Sequence, residues 1–531
     1  MTDNDMLARI LKDRGISRRD FMVAASTFAV TAASASTLWS TRANASTPQK
    51  GGHMIAALQG GSSTDSLDQQ TWIGTVMIAV GRATRDSLVE ISQDNQAVPG
   101  LAESWEPNAD VREWRFKLRQ GVEFSNGKSL TVEDVIASIN VHRGEKSKSA
   151  AKGVFAAIQD VTSDGNVVVV KLSEPNADFP FLMTDYHMNI VPAPDGKPDL
   201  VNGIGTGLYK VTNFEPGVRV IMERNPNAWQ SGSFGFVDSA ELLTVLDPTA
   251  RENALMAGSA HAINRPDLRT AKLLAKKPGV QVIDVTSNFF FASSMLTDHK
   301  PFNSVDFRRA LKHGIDRQQF VDKIINGFGT VGNDQPIGPG YKYHAQDVPQ
   351  NTYDPDKAKY YLKKSGFEGV SIEYSASDEA YNGAVDYGQL MREFLAPIGV
   401  NLNVKREPND GYWSSVWNVK PFVASYWGSR PVEDMILSIN WVTKGPWNDT
   451  KWGSPRVDEL VATARGELDT KKRAEMYREV QMILSADGAT LVPAFGHDVA
   501  AISTKVGTTG QYGGGWEMDG GHFVKRWWLN S

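Results

Sequence analysis

The order strand, helix, strand between residues 370 and 404 constrains the fold of this chain more than any other feature. Residues 370–374 (VSIEY) and 402–404 (LNV) have the alternating apolar character of short strands. The segment between them carries an apolar stripe at helical spacing, formed by Tyr387, Leu390, Met391, Phe394 and Leu395. A helix that connects two strands in this way gives a right-handed crossover between parallel strands. We therefore expect a covered α/β sheet in this half of the chain.

The length of 531 residues exceeds what one hydrophobic core normally organises, so we expect at least two domains. Residues 85–200 have the pattern of a small α+β unit, with strands, a hairpin signal and a helix that begins at a capping box of Thr131 and Asp134. No spacer rich in Gly, Ser or Pro separates the two halves near residues 290–302. This pattern favours two lobes joined by short hinge strands over two independently linked domains.

The first 45 residues have the layout of an export signal. Arg18 and Arg19 precede a moderately apolar run over residues 21–38, and a small-x-small cleavage motif follows at residues 43–45. The arginine pair indicates a twin-arginine signal, which implies passage through the twin-arginine translocase and a periplasmic location. The alternative is a membrane anchor, which we disfavour because Ser and Thr dilute the run. No other stretch of the sequence is long and apolar enough to span a bilayer.

Composition and motifs argue against several function classes. The net charge of −5 shows no basic excess of the kind that nucleic-acid binding requires. The absence of cysteine excludes disulfides, thiolate metal sites and cysteine nucleophiles. Residues 121–129 resemble a phosphate-binding loop but have five residues between the glycines instead of four. The nine histidines show no metal-binding spacing, so we predict neither a metal nor a cofactor.

A series of short motifs follows in a fixed order along the chain. The motifs are residues 66–68 (SLD), 98–105 (VPGLAESW), 114–127 (WRFKLRQGVEFSNG), 131–135 (TVEDV), 205–209 (GTGLY), 224–226 (RNP), 306–317 (DFRRALKHGIDR), 353–358 (YDPDKA) and 473–484 before Val492-Pro493. Each motif is unspecific alone. Their order and spacing resemble the family 5 extracellular solute-binding proteins of ABC transporters, which include periplasmic dipeptide- and oligopeptide-binding proteins.

The resemblance implies an α/β fold of the bilobal periplasmic-binding-protein kind (type II, cluster C-like). It implies that residues 46–300 form lobe I together with a returning segment, 496–531, and that residues 85–200 are an extra α+β subdomain of this lobe. Residues 301–495 would form lobe II. Such a protein would be a monomer that closes on a small-molecule or peptide ligand by hinge motion. It would deliver that ligand to the permease and ATPase subunits of an ABC importer.

The segment 424–440 (ASYWGSRPVEDMILSIN) contains the residue that bears most on the ligand. Peptide-binding members of the family carry an aspartate, in a W-x-x-D stretch, that holds the α-ammonium of the peptide. The matching run begins at Trp427, and Arg430 stands at the aspartate position. A guanidinium pairs with a carboxylate or phosphate, so we expect an anionic or hydroxyl-rich ligand group near Arg430. The alternatives are an internal ion pair of Arg430 with Glu433 or Asp434, or a shift in the alignment.

Further candidates for ligand contact come from aromatic and polar side chains in loop-like sequence. Tryptophan offers a flat apolar face and one N–H donor, which suits stacking on rings or side chains. The candidates in the second lobe are Trp413, Tyr426, Trp427, Asp434, Trp441 and Trp447. The candidates in the first lobe and near the hinge are Ser62, Ser63, Thr64 and Asn288. For each tryptophan the alternative is a place in the lobe core, and for the polar residues it is a structural turn or a solvated loop.

These observations together predict the periplasmic solute-binding component of an ABC importer. Its ligand would be a peptide, or an opine-like or sugar-conjugate-like solute. An exported enzyme with a bound cofactor is the alternative, because the twin-arginine route carries folded cargo. A peptide-binding chaperone or a receptor-linked sensor would share the same scaffold.

Overall fold

The computed structural model describes residues 47–409 and 411–530. The export-signal prediction for residues 1–45 lies outside these ranges. Within them the strands are β1 (His53–Leu58), β2 (Val89–Ile91), β3 (Ala97–Pro99), β4 (Ala102–Pro107), β5 (Glu113–Leu118), β6 (Ile158–Asp164), β7 (Val167–Leu172), β8 (Tyr209–Glu215), β9 (Arg219–Arg224), β10 (Ser239–Thr244), β11 (Ala262–Asn264), β12 (Val280–Met295), β13 (Gly329–Val331), β14 (Ser371–Ala376), β15 (Asn401–Arg406), β16 (Phe422–Trp427), β17 (Thr490–Ser503), β18 (Val506–Gly507) and β19 (Trp528–Leu529).

In the same ranges the α-helices of seven or more residues are α1 (Thr75–Thr84), α2 (Val132–Asn140), α3 (Pro248–Met256), α4 (Leu268–Leu274), α5 (Val305–His313), α6 (Arg317–Lys323), α7 (Pro355–Ser365), α8 (Ala384–Leu395), α9 (Pro455–Gly466) and α10 (Thr470–Asp487). Shorter helical turns are Gln69–Thr71, Phe179–Leu182, Pro194–Gly196, Ala396–Ile398, Tyr412–Ser415, Glu433–Ile436, Leu437–Trp441, Glu517–Gly520 and Phe523–Arg526. None of the described helices combines the length and apolar character that crossing a bilayer requires.

One mixed sheet of eleven strands runs through both lobes. Its order is β15-β14-β16-β12-β17-β11-β1-β10-β9-β8, and β13 adds to β17. The predicted strand–helix–strand unit is confirmed, because β14 and β15 pair in parallel and α8 connects them. Tyr387, Met391 and Leu395 of α8 are buried in the core beside β14, as the apolar stripe requires.

Two long strands, β12 and β17, pair in the middle of the sheet, and we call the irregular part of their pairing the hinge. β12 pairs with β17 in antiparallel fashion over residues 280–286, and the pairing resumes at Phe290. Between these stretches, residues 287–289 of β12 face only Gly496 of β17, so the register changes. A bulge of this kind interrupts the ladder and bends the strand.

Separate hydrophobic cores lie on the two sides of this hinge. One core joins α1 to β1, β8, β9 and β10 and to the C-terminal segment around Trp527. A second joins α5, α6, α7 and α8 to β14, β15 and β16, and a third lies where α9 and α10 cover the other face. The antiparallel sheet β4-β5-β7-β6 and helix α2 enclose a core of their own, which defines a compact subdomain. Helix α2 begins at the predicted capping box of Thr131 and Asp134.

Polar contacts join the subdomain to the opposite lobe at a short segment, which we call the interlobe contact. It comprises Glu174, Ala177 and Asp178 of the subdomain together with Arg465 and Arg473 at the ends of α9 and α10. The backbone N–H of Ala177 donates to the carbonyl oxygen of Arg465 at 2.7 Å. Arg473 donates to both carboxylate oxygens of Asp178, and both side chains are buried. Arg465 donates to Glu174 at 2.8 Å.

Candidate ligand site between the two lobes

The carboxyl ends of the parallel strands in both lobes converge on the hinge. β1 is parallel to β10 and β11, and β11 runs antiparallel to β17 towards the hinge. In the other lobe β14, β15 and β16 are parallel, and β16 runs along β12 to end opposite Phe290. Loops at the carboxyl ends of parallel strands form the ligand sites of open α/β sheets. The space beside the hinge is therefore the candidate ligand site.

Arg430 lies in the loop that follows β16, at this edge. Its Nη1 donates to the carbonyl oxygens of Gly428 at 3.3 Å and Ser429 at 3.0 Å. Among the described residues no carboxylate lies within 4.0 Å of its guanidinium, which differs from the internal ion pair considered as an alternative. The two acids that follow it are engaged elsewhere, as described below. The guanidinium thus retains donors for an anionic group.

Two tyrosines from different parts of the chain lie close enough to Arg430 to feel its charge. Burial raises the pKa of Tyr186 and of Tyr341, and the positive charge of Arg430 opposes part of each rise. Tyr186 belongs to the segment that follows the subdomain sheet, and Tyr341 lies between α6 and α7. Arg430 therefore faces groups from both sides of the candidate site.

The hinge residues hold the loop of Arg430 in place. The hydroxyl groups of Ser287 and Ser429 are hydrogen-bonded at 2.8 Å. Asn288 donates from Nδ2 to the backbone oxygen of Arg430 at 3.3 Å, while its Oδ1 is buried with no partner in the described residues. A Cβ at Gly340 would lie 2.4 Å from that Oδ1, so a glycine is needed there. The structure thus places the predicted residue Asn288 at the hinge, in contact with the backbone of Arg430.

Three aromatic side chains form an open cluster beside the hinge. The ring centroids of Tyr426 and Phe289 lie 5.6 Å apart, and those of Tyr426 and Trp413 lie 5.5 Å apart. Tyr426 is 40% exposed. The indole N–H of Trp413 donates to Glu379 at 3.1 Å. Tyr426 and Trp413, both predicted from the sequence, thus offer a partly exposed aromatic surface to a ligand.

Two of the other three predicted tryptophans lie deeper. Trp427 and Trp441 are buried in the core under α9 and α10, and neither indole N–H has a partner among the described residues. Trp447 is 50% exposed and lies with its ring centroid 6.2 Å from that of Trp427. Trp427 and Trp441 therefore contribute to the lobe core.

Asp434 is directed away from the hinge and towards the interlobe contact. Arg465 donates from Nε to its two carboxylate oxygens at 3.0 and 3.1 Å, and Ser438 donates to it at 3.0 Å. Burial raises its pKa, and the charge of Arg465 opposes that rise. The neighbouring Glu433 is also buried and accepts a 2.6 Å hydrogen bond from the backbone N–H of Tyr343.

Ser62, Ser63 and Thr64 form an exposed turn after β1. Ser62 and Thr64 are hydrogen-bonded through their hydroxyl groups at 2.9 Å, and the backbone N–H of Ser62 donates to Asp65. The turn rests on the β8–β9 hairpin, since a Cβ at Gly217 would lie 2.6 Å from the backbone nitrogen of Ser63. The hydroxyl groups of Ser62 and Thr64 thus have partners within the turn.

The structure adds five residues of the first lobe that the sequence did not indicate. Arg265 follows β11 in a left-handed backbone conformation with a φ of 42°, and it forms an ion pair with Glu517. Asn264 donates to the same carboxylate at 2.7 Å. Trp516 contacts Tyr186 with ring centroids 5.7 Å apart. Asp498 lies on β17, two residues beyond Gly496. A positive φ at a residue other than glycine is uncommon, and only coordinates reveal it.

No group of three or more His, Asp or Glu side chains in the described ranges has the geometry to hold a metal ion. The groups that converge on the site are guanidinium, carboxylate, hydroxyl and aromatic side chains. This chemistry suits non-covalent binding of a polar solute with apolar parts.

Comparisons with known proteins show which family this chain resembles. The family model described as "Bacterial extracellular solute-binding proteins, family 5 Middle" matches residues 96–449. Heme-binding protein A of Haemophilus influenzae is 22% identical over 472 residues, which are 82% of this chain and 85% of that protein. Nothing in these comparisons supports the alternative of an exported enzyme with a cofactor.

Solved structures agree on the bilobal fold. The periplasmic binding protein DppA from Helicobacter pylori, in complex with the peptide STSA, matches with a TM-score of 0.74 and 20% identity, and covers 91% of this chain and 99% of its own. The binding protein AgaA from A. tumefaciens R10, in complex with agropinic acid, matches with a TM-score of 0.74 and 21% identity, and covers 90% and 99%. The predicted bilobal α/β fold is thus confirmed.

Proposed function

The chain belongs to the bacterial extracellular solute-binding proteins of family 5, and from this premise we propose that it captures a peptide-like or other anionic small solute between its lobes. Family 5 proteins are the solute-binding components of ABC importers, so the captured solute is delivered to a membrane permease driven by ATPase subunits. A ligand that touches both lobes gains contacts only when they close, and this difference in affinity shifts the hinge equilibrium.

The guanidinium of Arg430 carries the proposal on ligand class. It stands at the edge where the strands of both lobes converge, and its protein partners are two carbonyl oxygens of its own loop. Its planar fork of N–H donors matches a carboxylate, as found in a peptide C-terminus or an opine. Heme, a peptide and agropinic acid are named for its relatives, and all three offer carboxylate groups. The aromatic cluster of Phe289, Tyr426 and Trp413 would take an apolar part of the same solute.

The proposal also covers the lobe boundaries, the oligomeric state and the export of the protein. We propose that residues 46–300 and 496–531 form lobe I, with residues 85–200 as its subdomain, and that residues 301–495 form lobe II. The breaks near 300 and 496 lie close to the strand crossing at Ser287–Phe289 and Gly496. The protein would act as a periplasmic monomer without catalytic activity, exported by the twin-arginine translocase through residues 1–45.

Replacement of Arg430 tests the ligand class. Native mass spectrometry of the purified protein identifies a copurified solute, and titration calorimetry measures its dissociation constant. We expect Arg430→Ala to weaken binding by roughly 10- to 100-fold, because hydrogen bonds to a charged group contribute about 1.5–3 kcal/mol. Arg430→Asp should weaken binding further, since it places a carboxylate next to the anionic group of the solute.

The matched control is Arg269→Gln, because Arg269 is an exposed arginine on α4 that pairs with Asp267. It should leave affinity unchanged. A solute that binds both Arg430 variants as tightly as the wild type would remove Arg430 from the site. In a thermal-shift screen, a ligand at 100 times its dissociation constant adds about 2.7 kcal/mol of stability, which is enough to detect it.

A further inference from the structure

The interlobe contact lies apart from the two central strands whose pairing contains the hinge. None of its residues belongs to β12 or β17. The subdomain is fixed to the rest of the first lobe, since Arg119 lies over the Trp229 ring at 4.5 Å and the backbone N–H of Ser125 donates to the carbonyl oxygen of Gly205 at 2.8 Å. Opening of the two lobes must therefore separate the interlobe contact.

Gly466, the last residue of α9, lets the two sides of this contact approach closely. A Cβ at residue 466 would lie 3.0 Å from the Cβ of Pro175, which follows Glu174 in the subdomain. The backbone of Gly466 is helical, so its conformation does not itself require glycine. The missing side chain thus serves the close approach to Pro175.

Met435 adds an apolar part to the same contact. It belongs to the turn Glu433–Ile436 of the second lobe, and its partly buried side chain packs against the hydrophobic core of the subdomain. The adjacent Asp434 accepts from Arg465, which also donates to Glu174 of the subdomain. The contact thus combines apolar packing with charged hydrogen bonds, and it is more than an exposed ion pair.

One short segment of chain connects this contact to the candidate ligand site. Asp434 and Met435 lie four and five positions after Arg430. The backbone oxygen of Arg430 accepts from Asn288 at the hinge. A solute that binds Arg430 and the interlobe contact therefore position the same segment, and each favours the closed arrangement that the other needs.

We propose that the interlobe contact, extended by Pro175, Gly466 and Met435, is a latch that sets the affinity for the solute from outside the binding site. This inference rests on the proposed function, because it applies to a protein that closes on its solute. The apparent dissociation constant of such a protein is the intrinsic constant divided by the closed fraction. Loss of the latch lowers the closed fraction, so it weakens the binding of every solute by the same factor.

The first test measures the separation of the lobes without any solute. The chain has no cysteine, so Lys148→Cys in the subdomain and Glu475→Cys on α10, both at exposed positions, can carry a pair of spin labels. Gly466→Leu places a side chain against Pro175, and we expect longer distances between the labels than in the wild type. The control is Gly232→Leu, since nothing lies within 4 Å of a Cβ at this exposed residue. A folded Gly466→Leu protein with wild-type label distances would overturn the latch.

Glu174→Lys is a second variant that spares both hydrophobic cores. The side chain of Glu174 is 64% exposed, and a lysine there sets a cation against Arg465. The label distances should change in the same direction as in Gly466→Leu but by less, because exposed pairs contribute little. A change towards shorter distances would contradict the latch.

The second test measures binding by titration calorimetry with two probes, trialanine and agropinic acid. Gly466→Leu should weaken the binding of both probes by the same factor, which we expect to be at least about fivefold. Gly232→Leu should bind like the wild type. Clearly unequal factors for the two probes would mean that residue 466 acts on the solute itself, and they would overturn the latch.

Arg430→Ala separates the latch from the proposed function. It should weaken probe binding but keep the label distances of the solute-free protein, because its guanidinium donates to carbonyl oxygens of its own loop. Unchanged affinity in Gly466→Leu with weaker binding in Arg430→Ala would overturn the latch and keep the anion site. Unchanged affinity in Arg430→Ala with longer distances in Gly466→Leu would do the reverse. Failure of both probes to bind would contradict the proposed ligand class, and the label distances would still support or overturn the latch.

Discussion

At the residue scale, Arg430 remains open because its acidic neighbours are used elsewhere. Glu433 and Asp434 follow it within four residues, yet Glu433 accepts from the backbone of Tyr343 and Asp434 pairs with Arg465. A guanidinium next to two carboxylates would ordinarily be neutralised by one of them. The loop geometry prevents this pairing, and the proposed anion site rests on the guanidinium that is left without a carboxylate partner.

A second feature at the residue scale is the close packing around Gly496, which gives a testable prediction. A Cβ at this position would lie 2.4 Å from Cδ1 of Phe289, whose ring contacts Phe291 and Tyr426. Gly496→Ala should displace the Phe289 ring and reduce the free energy of unfolding by about 1–3 kcal/mol, as overpacking does. Urea denaturation measures the change. Gly153→Ala is the control, since nothing lies within 4 Å of a Cβ there; equal effects of both substitutions would contradict the steric role of Gly496.

The sequence alone indicates only some residues of the candidate site. Arg430 was found because one residue departs from a family pattern, and Tyr426 and Trp413 lie in the same stretch of chain. Arg265, Asp498, Trp516 and Glu517 come together through folding; Arg265 and Glu517 are 252 positions apart. No motif in the adjacent sequence distinguishes these residues, so the sequence does not indicate that they lie close together.

At the element scale, the interlobe contact joins the subdomain to α9 and α10. Arg473 is buried, bonds Asp178 and lies over the rings of Tyr343 and Tyr477 at 5.2 and 5.6 Å. Arg473→Met should leave the Asp178 carboxylate buried without its partner, which costs about 3–5 kcal/mol. Exchange of the Ala177 amide hydrogen, which bonds Arg465 across the contact, should become faster.

The control for this variant is Glu479→Gln, which removes the exposed ion pair with Arg456 on the outer face of α9 and α10. Exposed pairs contribute little, so this variant should exchange like the wild type. Unchanged exchange at Ala177 in Arg473→Met would show that the contact does not depend on the buried ion pair.

Helices were predicted correctly where the sequence pattern depends on residues that are close together in the chain. The capping box at Thr131 and the apolar stripe of α8 depend on residues three or four apart, and both are present in the structure. The interlobe contact depends on Asp178 and Arg473, which are 295 positions apart, so charge pattern alone gave no indication of it.

At the scale of the whole molecule, the interlobe contact makes closure sensitive to pH. Burial raises the pKa of Glu433 to about 7, and the charge of Asp178 adds to this rise while the Tyr343 N–H and Arg473 oppose it. Burial favours the protonated form of Glu433, which lies next to the interlobe contact, so stability is present at low pH and is lost as the pH rises from about 4.5 to about 7. Ionised Glu433 then repels Asp178 of the contact, and Tyr341 is also nearby.

We therefore expect the ligand-free protein to become more open between pH 5 and pH 7.5, with a larger radius of gyration in small-angle X-ray scattering. Glu433→Gln retains an acceptor for the Tyr343 N–H but cannot ionise. It should keep the same radius of gyration at both pH values. A wild-type radius that is constant over this range would rule out Glu433 as the titrating group.

The crossing of β12 and β17 also has a consequence for biosynthesis. β17 lies between β11 and β12 in the sheet, yet it begins only at Thr490 of a chain of 531 residues. While the ribosome is still synthesising the preceding residues, β11 and β12 lack the strand that separates them in the finished protein. The central sheet therefore cannot be completed until residues 490–503 have emerged, whereas the subdomain, which has its own sheet and core, can fold earlier.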